Sequence, residues 1–422
     1  MNYGNPVQSD KASVTGFENR VLHALSFARD TLRLLAEEGY DDPDTLQDKI
    51  LPEKVIGETA FLLYAASLVE NEAIKAKVSE IAQILVPHAR SKKILLGICL
   101  YPALAIEYAQ AHVFLTRIGY PDNRFDKMLD KSIGAQSHFG RERPPHRMLE
   151  QEWVKRVWTG SSEPAGRHIS DMIANSALSH PIDVLHGTRE DLYAFTHALM
   201  YATCFNISPW KIGKKTELIL EEAEAMLARC IDEQDYDLAG ELLLAWPLTG
   251  STWSPLAAFA FRVLMRVEDE AGFLPSPATR IDTLQKLEGE KKKKYLHATA
   301  YHTAYVMGLL CSASLQTGMG SLSNISTNKL TSKIPEKILE FLRAGNLNPH
   351  WLADFDRLTE NEQYPLDDLL LNIALYRSVR QKQYADAFEL VQIAYEEKIG
   401  SQALVTQSAE LLDRLGELIS FG

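Results

Sequence analysis

The chain is poor in several of the things that usually betray a function. It has 4 cysteines, Cys99, Cys204, Cys230 and Cys311, far apart and with no CxxC among them. That spacing excludes a disulfide framework and a cysteine zinc site. Each cysteine sits among apolar neighbours, as a small buried hydrophobe in a reducing cytoplasm does. Long apolar runs are also missing. The most apolar stretch, Ile94–Ile106, ends at Glu107, short of the ~20 residues that a bilayer span requires, and reads as a buried core helix. Residues 1–10 are polar, without a basic segment leading into an apolar one, so no secretory signal is visible. These absences point to a cytoplasmic protein with no membrane span.

Basic residues are outnumbered, 44 Lys+Arg against 56 Asp+Glu, for a net charge of −12. The mean field repels phosphate backbones and argues against a nucleic-acid partner. Glycine and proline, at 23 and 18 residues, are slightly scarce, and few punctuators imply long elements. The common chemical signatures are absent as well: no GxxxxGK[ST], no GxGxxG after a strand, no HExxH and no GxSxG. Neither DDxxD nor DxDD occurs; Asp41-Asp42 runs into Pro43, and Asp367-Asp368 opens an apolar helix. His146 and Glu150 have helical ligand spacing but no second pair to complete a site, so neither metal nor cofactor is expected.

What is present is helical periodicity almost everywhere. Apolar residues recur at a spacing near 3.6 and nowhere alternate with period 2, which predicts an all-α fold of about sixteen helices. The first covers 16–38, with Val21, Leu22, Leu25, Ala28, Leu32 and Leu35 as its apolar stripe. Others fall at 53–69, 71–90, 93–118, 122–134, 146–158, 166–178, 189–205, 214–233, 236–246, 254–271, 292–316, 334–344, 363–380, 383–398 and 402–419. Asp122 and Ser254-Pro255 have the chemistry of helix starts, and Gly272 that of a helix stop. No repeat of fixed length is visible, and irregular hairpins favour a closed α/α toroid over an open solenoid. The expected organisation is a flexible N-terminus (1–14), a toroid domain (15–316), a mobile loop (317–333) and C-terminal helices (334–422) that pack on or complete the toroid.

Four segments carry candidate chemistry. In REDLYAFTHALMYATCF, Tyr193, His197 and Tyr201 are spaced i, i+4, i+8 and share one helix face. In YLHATAYHTAYVMGLL, His297, Tyr301 and Tyr305 repeat that spacing, with His302 close by. Buried hydroxyls and imidazoles need partners, so two such stripes suggest the walls of one cavity. RERPPHRMLEQEW brings His146, Arg147 and Glu150 onto the start of a helix, where a carboxylate beside arginine and histidine suits acid–base work. DYDLAGELLLAWPLTGSTW puts Asp237 and Glu241 one turn apart in an apolar helix, the setting that raises a carboxyl pKa.

The alternation of helices, the His/Tyr stripes and the turn loop GFLPSP resemble the α/α-toroid superfamily over residues 15–316. That group includes squalene–hopene-type terpene cyclases, prenyltransferase β subunits and several glycoside hydrolases and polysaccharide lyases. The resemblance implies a double ring of helices around a central cavity. No catalytic motif of any member is matched, so no residue is carried over.

The expectation is therefore an enzyme acting on a small organic substrate by proton transfer, as lyase, isomerase, cyclase or hydrolase, in specialised metabolism. His197 and His302 are the candidate base and acid, because imidazole titrates near neutral pH. Glu150, Asp237 and Glu241 are further acid candidates, and Tyr193, Tyr201, His297, Tyr301, Tyr305, Arg147 and Trp253 form the substrate-binding set. Two alternatives stand beside it: a non-catalytic helical scaffold for a protein or peptide, and a carboxylate–histidine metalloenzyme. A homo-oligomer is compatible with all three.

Overall fold

In a computed structural model of the chain, residues 14–38, 52–135, 142–161, 166–206, 209–322, 335–344 and 350–420 are described. The expectations for residues 1–13, for 137–141 and for 323–333, and the Asp41-Asp42 pair, lie outside them. The regular elements among the described residues are helical, and the protein is all-α. The first fifteen α-helices are α1 (Val14–Glu38), α2 (Pro52–Ser67), α3 (Glu72–Ala89), α4 (Lys92–Leu100), α5 (Ala105–Arg117), α6 (Asn123–Ile133), α7 (Pro145–Thr159), α8 (Arg167–Ala174), α9 (Arg189–Ala202), α10 (Thr216–Asp232), α11 (Tyr236–Leu243), α12 (Ala245–Thr249), α13 (Pro255–Ala271), α14 (Ile281–Lys286) and α15 (Gly289–Gln316). After them come α16 (Glu336–Ala344), α17 (His350–Phe355), α18 (Glu360–Gln363), α19 (Asp367–Arg380), α20 (Tyr384–Glu397) and α21 (Gln402–Ser420).

Helix starts follow the local chemistry. Asp122 accepts from the amides of Arg124 and Phe125 to begin α6, and Ser254 accepts from Ala257 N ahead of Pro255 to begin α13. Gly272 stops α13 with φ of +78°, a backbone that a side chain would strain. Two features depart from the sequence reading. The helix expected over 93–118 is two helices, α4 and α5, bent by 116°. Pro102 lacks an amide proton and drives Tyr101 out of helical backbone, to φ −124° and ψ 72°. The bend leaves Leu100 and Tyr101 exposed, so Ile94–Ile106 is not one buried helix, and Cys99 is exposed while the other three cysteines are buried. The short helices α14, α17 and α18 have too few turns for a periodic signal. Among the described residues, no single helix is long and apolar enough to cross a membrane, although α4 and the bent segment after it would suffice together by length and composition.

Six helices contact one another in a cycle: α2 on α5, α5 on α7, α7 on α9, α9 on α11, α11 on α15, and α15 back on α2. Among the described residues α1 lies along α15 in the most extensive helix contact. Beneath one end of the cycle Phe61, Phe114, Trp153 and Tyr201 pack ring on ring, with centroids 5.1–5.6 Å apart. Such pairs add about 0.5–1.5 kcal/mol each beyond their burial. Gly240 lets α11 approach α15 closely, for a Cβ there would stand 2.7 Å from Val306 Cγ1. That close approach carries Asp237 and Glu241 toward the middle of α15. The C-terminal helices attach through α10, which α19 and α21 both touch.

Candidate active site

The site is built from α9, α11 and α15 first. Thr188 caps α9 in a reciprocal capping box with Asp191. That fixes the helix start so that Arg189, Tyr193 and His197 lie one above another. Asp235 caps α11 by accepting from Leu238 N and also receives both arms of Arg189, at 2.6 and 2.9 Å. With the cap taken by Asp235, Asp237 turns inward and accepts the Tyr193 hydroxyl at 2.5 Å. One turn on, Glu241 Oε2 accepts from Thr196 Oγ1 at 2.6 Å and stands 3.5 Å from His197 Nε2.

The middle of α15 meets this pair of helices through His302. Its Nε2 lies 3.5 Å from Asp237 Oδ1 and 3.6 Å from Glu241 Oε1. On its other side, Nδ1 is 3.0 Å from Glu58 Oε2 on α2, and Lys54 stands 3.6 Å from Glu58 Oε1. An unbroken series of carboxylates and imidazoles thus runs Glu58, His302, Asp237/Glu241, His197. It continues toward α7 and α5. The rings of His197 and His146 are 6.0 Å apart; Glu150 receives Arg147 at 2.9 Å and Gln110 at 3.4 Å. Every helix of the cycle contributes a polar side chain.

The cluster is deep but not sealed. The side chains of Asp237 and Glu241 are 7% and 2% exposed, whereas His302, Glu58 and His197 keep 27%, 24% and 18%. Burial opposes ionisation of Glu241, but His197 and His302 outweigh it and hold its carboxyl well below the usual range. Burial likewise disfavours charge on His302, yet Glu58, Asp237 and Glu241 hold it well above an ordinary imidazole. His197 is raised against burial by Glu241. Asp237 is pushed up by burial despite His302, with Glu241 adding to the push. Tyr193, Tyr201 and Tyr301 are raised by burial and by the carboxylates they face. His146 is pushed down to about 4, by burial and then by the charges of His197 and Arg147. Two atoms in the cluster have unused bonding capacity: His197 Nδ1 and Asp237 Oδ1 are buried without a hydrogen-bond partner.

The structure brings together His197, His302, Asp237, Glu241, Tyr193, Tyr201 and Tyr301, with Glu150 and Arg147 at the α7 side. It does not bring in the rest of the expected set. His297 bonds Thr31 Oγ1 at 2.8 Å and stacks on Phe27, facing α1. Tyr305 is buried one turn deeper, bonded to Thr59 Oγ1 at 3.0 Å. Trp253 stacks on Trp246 in the core and donates to the Met319 carbonyl at 3.2 Å. Glu58 escaped the sequence reading because Lys54 and Glu58, at i and i+4, look like a solvated surface pair. Gln110 and Thr196 gave no signal. Among the described residues no three His, Cys, Asp or Glu side chains converge with metal-binding geometry; the carboxylates and imidazoles face one another rather than a common point.

Residues 19–312 match a family described as a domain of unknown function, DUF6895. The match covers well over half of the chain, and the chain belongs to this family. The whole cycle of helices, apart from the last residues of α15, lies within the matched span. No curated protein and no solved structure matches the chain.

Proposed function

We propose that the protein is an enzyme that transfers protons to and from a small organic substrate at the centre of an α/α toroid, whose inner ring is the six-helix cycle. The single observation that carries this reading is the series Glu58–His302–Asp237/Glu241–His197, gathered from α2, α15, α11 and α9 and partly open to solvent. Burying so many ionisable groups costs several kcal/mol per ion before pairing, and apolar replacements of such clusters are often neutral or stabilising. Strongly perturbed ionisable groups gathered in this way are characteristic of chemical sites, and that supports the reading.

In this reading His197 is the general acid. Glu241 holds Nε2 and favours the imidazolium, which leaves the unpartnered Nδ1 as the proton-transfer atom. His302, flanked by carboxylates on both nitrogens, is a fixed positive charge that keeps Glu241 ionised. Tyr193, Tyr201 and Tyr301 stay protonated, and Tyr193 gives its one proton to Asp237 and so orients that carboxylate toward the site. Lyase, isomerase, cyclase and hydrolase chemistry all need these parts.

The test is to incubate the full-length protein with pooled small organic molecules in heavy water and follow consumption and deuterium uptake by mass spectrometry. Wild type is expected to consume or label at least one compound, with His197→Gln and Glu241→Gln reduced about 10²–10⁴-fold. No turnover by wild type, together with unchanged or higher stability in both variants, would return the cluster to a structural role.

The scaffold reading is favoured by a different surface. Tyr384, Phe388 and Tyr395 on α20 are 37%, 54% and 62% exposed, a partner-binding stripe outside the matched family span. Serine at Phe388 and Tyr395 should abolish any such association in a co-purification.

A further inference from the structure

Three imidazoles meet at the centre of the cycle, and their neighbours differ. His302 has a carboxylate at each nitrogen and His197 has one. His146, at the start of α7 after Pro144-Pro145, has none. Its ring lies 6.0 Å from that of His197, it is half-buried at the edge of the cluster, and no described group hydrogen-bonds it.

We infer that His146 is the proton-accepting partner of His197, and that the substrate's reacting atoms lie between α7 and α9. The inference rests on the reading of His197 as the acid. The groups facing His146 from each side explain why it stays free to accept. From α9 comes the His197 charge. On α7 itself Arg147 is a second cation, and Glu150 is already engaged by it at 2.9 Å. From α5, Gln110 bonds Glu150 at 3.4 Å, and Glu107 Oε1 is taken by Arg143 and Gln151, each at 3.1 Å. Glu150 is the carboxylate that favours a proton on His146, and it is outweighed because Arg147 and Gln110 already share it. Burial and the two cations keep it neutral well below pH 7.

A neutral imidazole beside an imidazolium is an acceptor and donor pair. With each hydrogen bond reaching about 3 Å, rings this far apart serve substrate atoms that are neighbours or next neighbours. In the step, a substrate proton passes to His146 and its bonding pair stays on the substrate to form the new bond. The bond that breaks leaves its pair on the departing atom, which takes the proton of His197 Nδ1. His146 then carries the charge and His197 is neutral; both rings touch solvent, and exchange with water restores them. The step needs no other reactant. The substrate class is a compound with an acidic C–H or O–H one or two bonds from a leaving or accepting heteroatom.

The test treats the full-length protein with diethyl pyrocarbonate, which acylates neutral imidazole, at about pH 5.5, where an unperturbed histidine is mostly protonated. Peptide mass spectrometry reads the rate at each histidine. His146 is expected to react several-fold faster than the more exposed His168 and His180, and His197 and His302 to lag. On any compound that wild type turns over, His146→Ala should lose about 10²–10⁴-fold in kcat with little change in KM, and added imidazole should restore part of it. A packing role gives no such rescue. Labelling of His146 no faster than of His168, or full turnover by His146→Ala, overturns the assignment even where His197→Gln is inactive. Fast labelling of His146 with no turnover by wild type strikes down the acid–base reading itself, and the assignment falls with it.

Discussion

Two buried ionic clusters of this protein are built on opposite rules. At the seam between α10 and the C-terminal helices, Arg377 forks onto both oxygens of Asp232 at 2.8 and 2.5 Å. Arg377 Nη1 donates to the Leu342 carbonyl at 3.2 Å, and Trp351 Nε1 adds a bond to Asp232 at 2.9 Å. Both charged side chains are 6% exposed. In the central cluster the closest approaches of His302 and His197 to Asp237 and Glu241 are 3.5–3.6 Å, two polar atoms are unpartnered, and the histidines reach solvent. A planar fork with its bonds satisfied and water excluded holds two segments together. Loose contacts, unused donors and partial access to water are what proton exchange requires.

The contrast is broken most forcefully at the seam. Arg377→Met leaves Asp232 charged and buried, so unfolding free energy in denaturant should fall by about 3–5 kcal/mol. Asp232→Asn combined with Arg377→Met should recover part of that loss. A cost below about 1 kcal/mol for the single variant would mean that the seam behaves as a surface pair.

A pair midway between the two extremes sharpens the comparison. Arg266 Nε stands 2.7 Å from Asp354 Oδ1, yet Asp354 Oδ2 is unpartnered, and burial pushes the carboxyl up to about 6 despite Arg266. The native state therefore binds this proton more tightly than the unfolded chain, whose aspartate titrates near 3.8. Stability contributed here is fully present below pH 3.8 and is lost as pH rises toward 6. Asp354→Asn should flatten that slope, by about 3 kcal/mol across the window, in unfolding curves at several pH values.

The smallest change in stability is expected at the centre itself. Glu241→Gln removes the anion that favours charge on His197, so the His197 imidazole resonance should titrate lower by at least about one pH unit. Its stability should change less than that of Arg377→Met, because His197 can release its proton once the anion is gone. An unmoved His197 titration would sever Glu241 from the proton-transfer role.

The parts of this design that were legible in the sequence are those written within one helix. The stripes Tyr193/His197/Tyr201 and His297/Tyr301/Tyr305, the latter with His302 beside it, and the pair Asp237/Glu241, announce themselves because polar groups at helical spacing in apolar surroundings demand partners. What a sequence does not contain is which stripes face each other. His297 and Tyr305 share the spacing of Tyr301 but lie on the part of α15 covered by α1 and α2, where Thr31 and Thr59 satisfy them. Trp253 marks the core because Trp246 and Phe261 cover it. Glu58 was invisible for the opposite reason: its own helix offers a complete local explanation in Lys54, and only His302, supplied from α15, makes it part of the site. The α4–α5 bend shows a local signal overridden by a longer one, since Pro102 sits inside a strong apolar period.

The contact between Glu58 and His302 joins residues 244 positions apart, and this sets a time order. A contact of such separation must await closure of nearly the whole intervening chain. Glu58 and its helix emerge early in synthesis, whereas α15 arrives only after the twelve α-helices that lie between them among the described residues. A chain released before α15 would have carboxylates on α2 and α11 with no His302 between them, and α1 with no α15 to lie along. Under the proposed reading, a fragment that ends before α15 should therefore be inert.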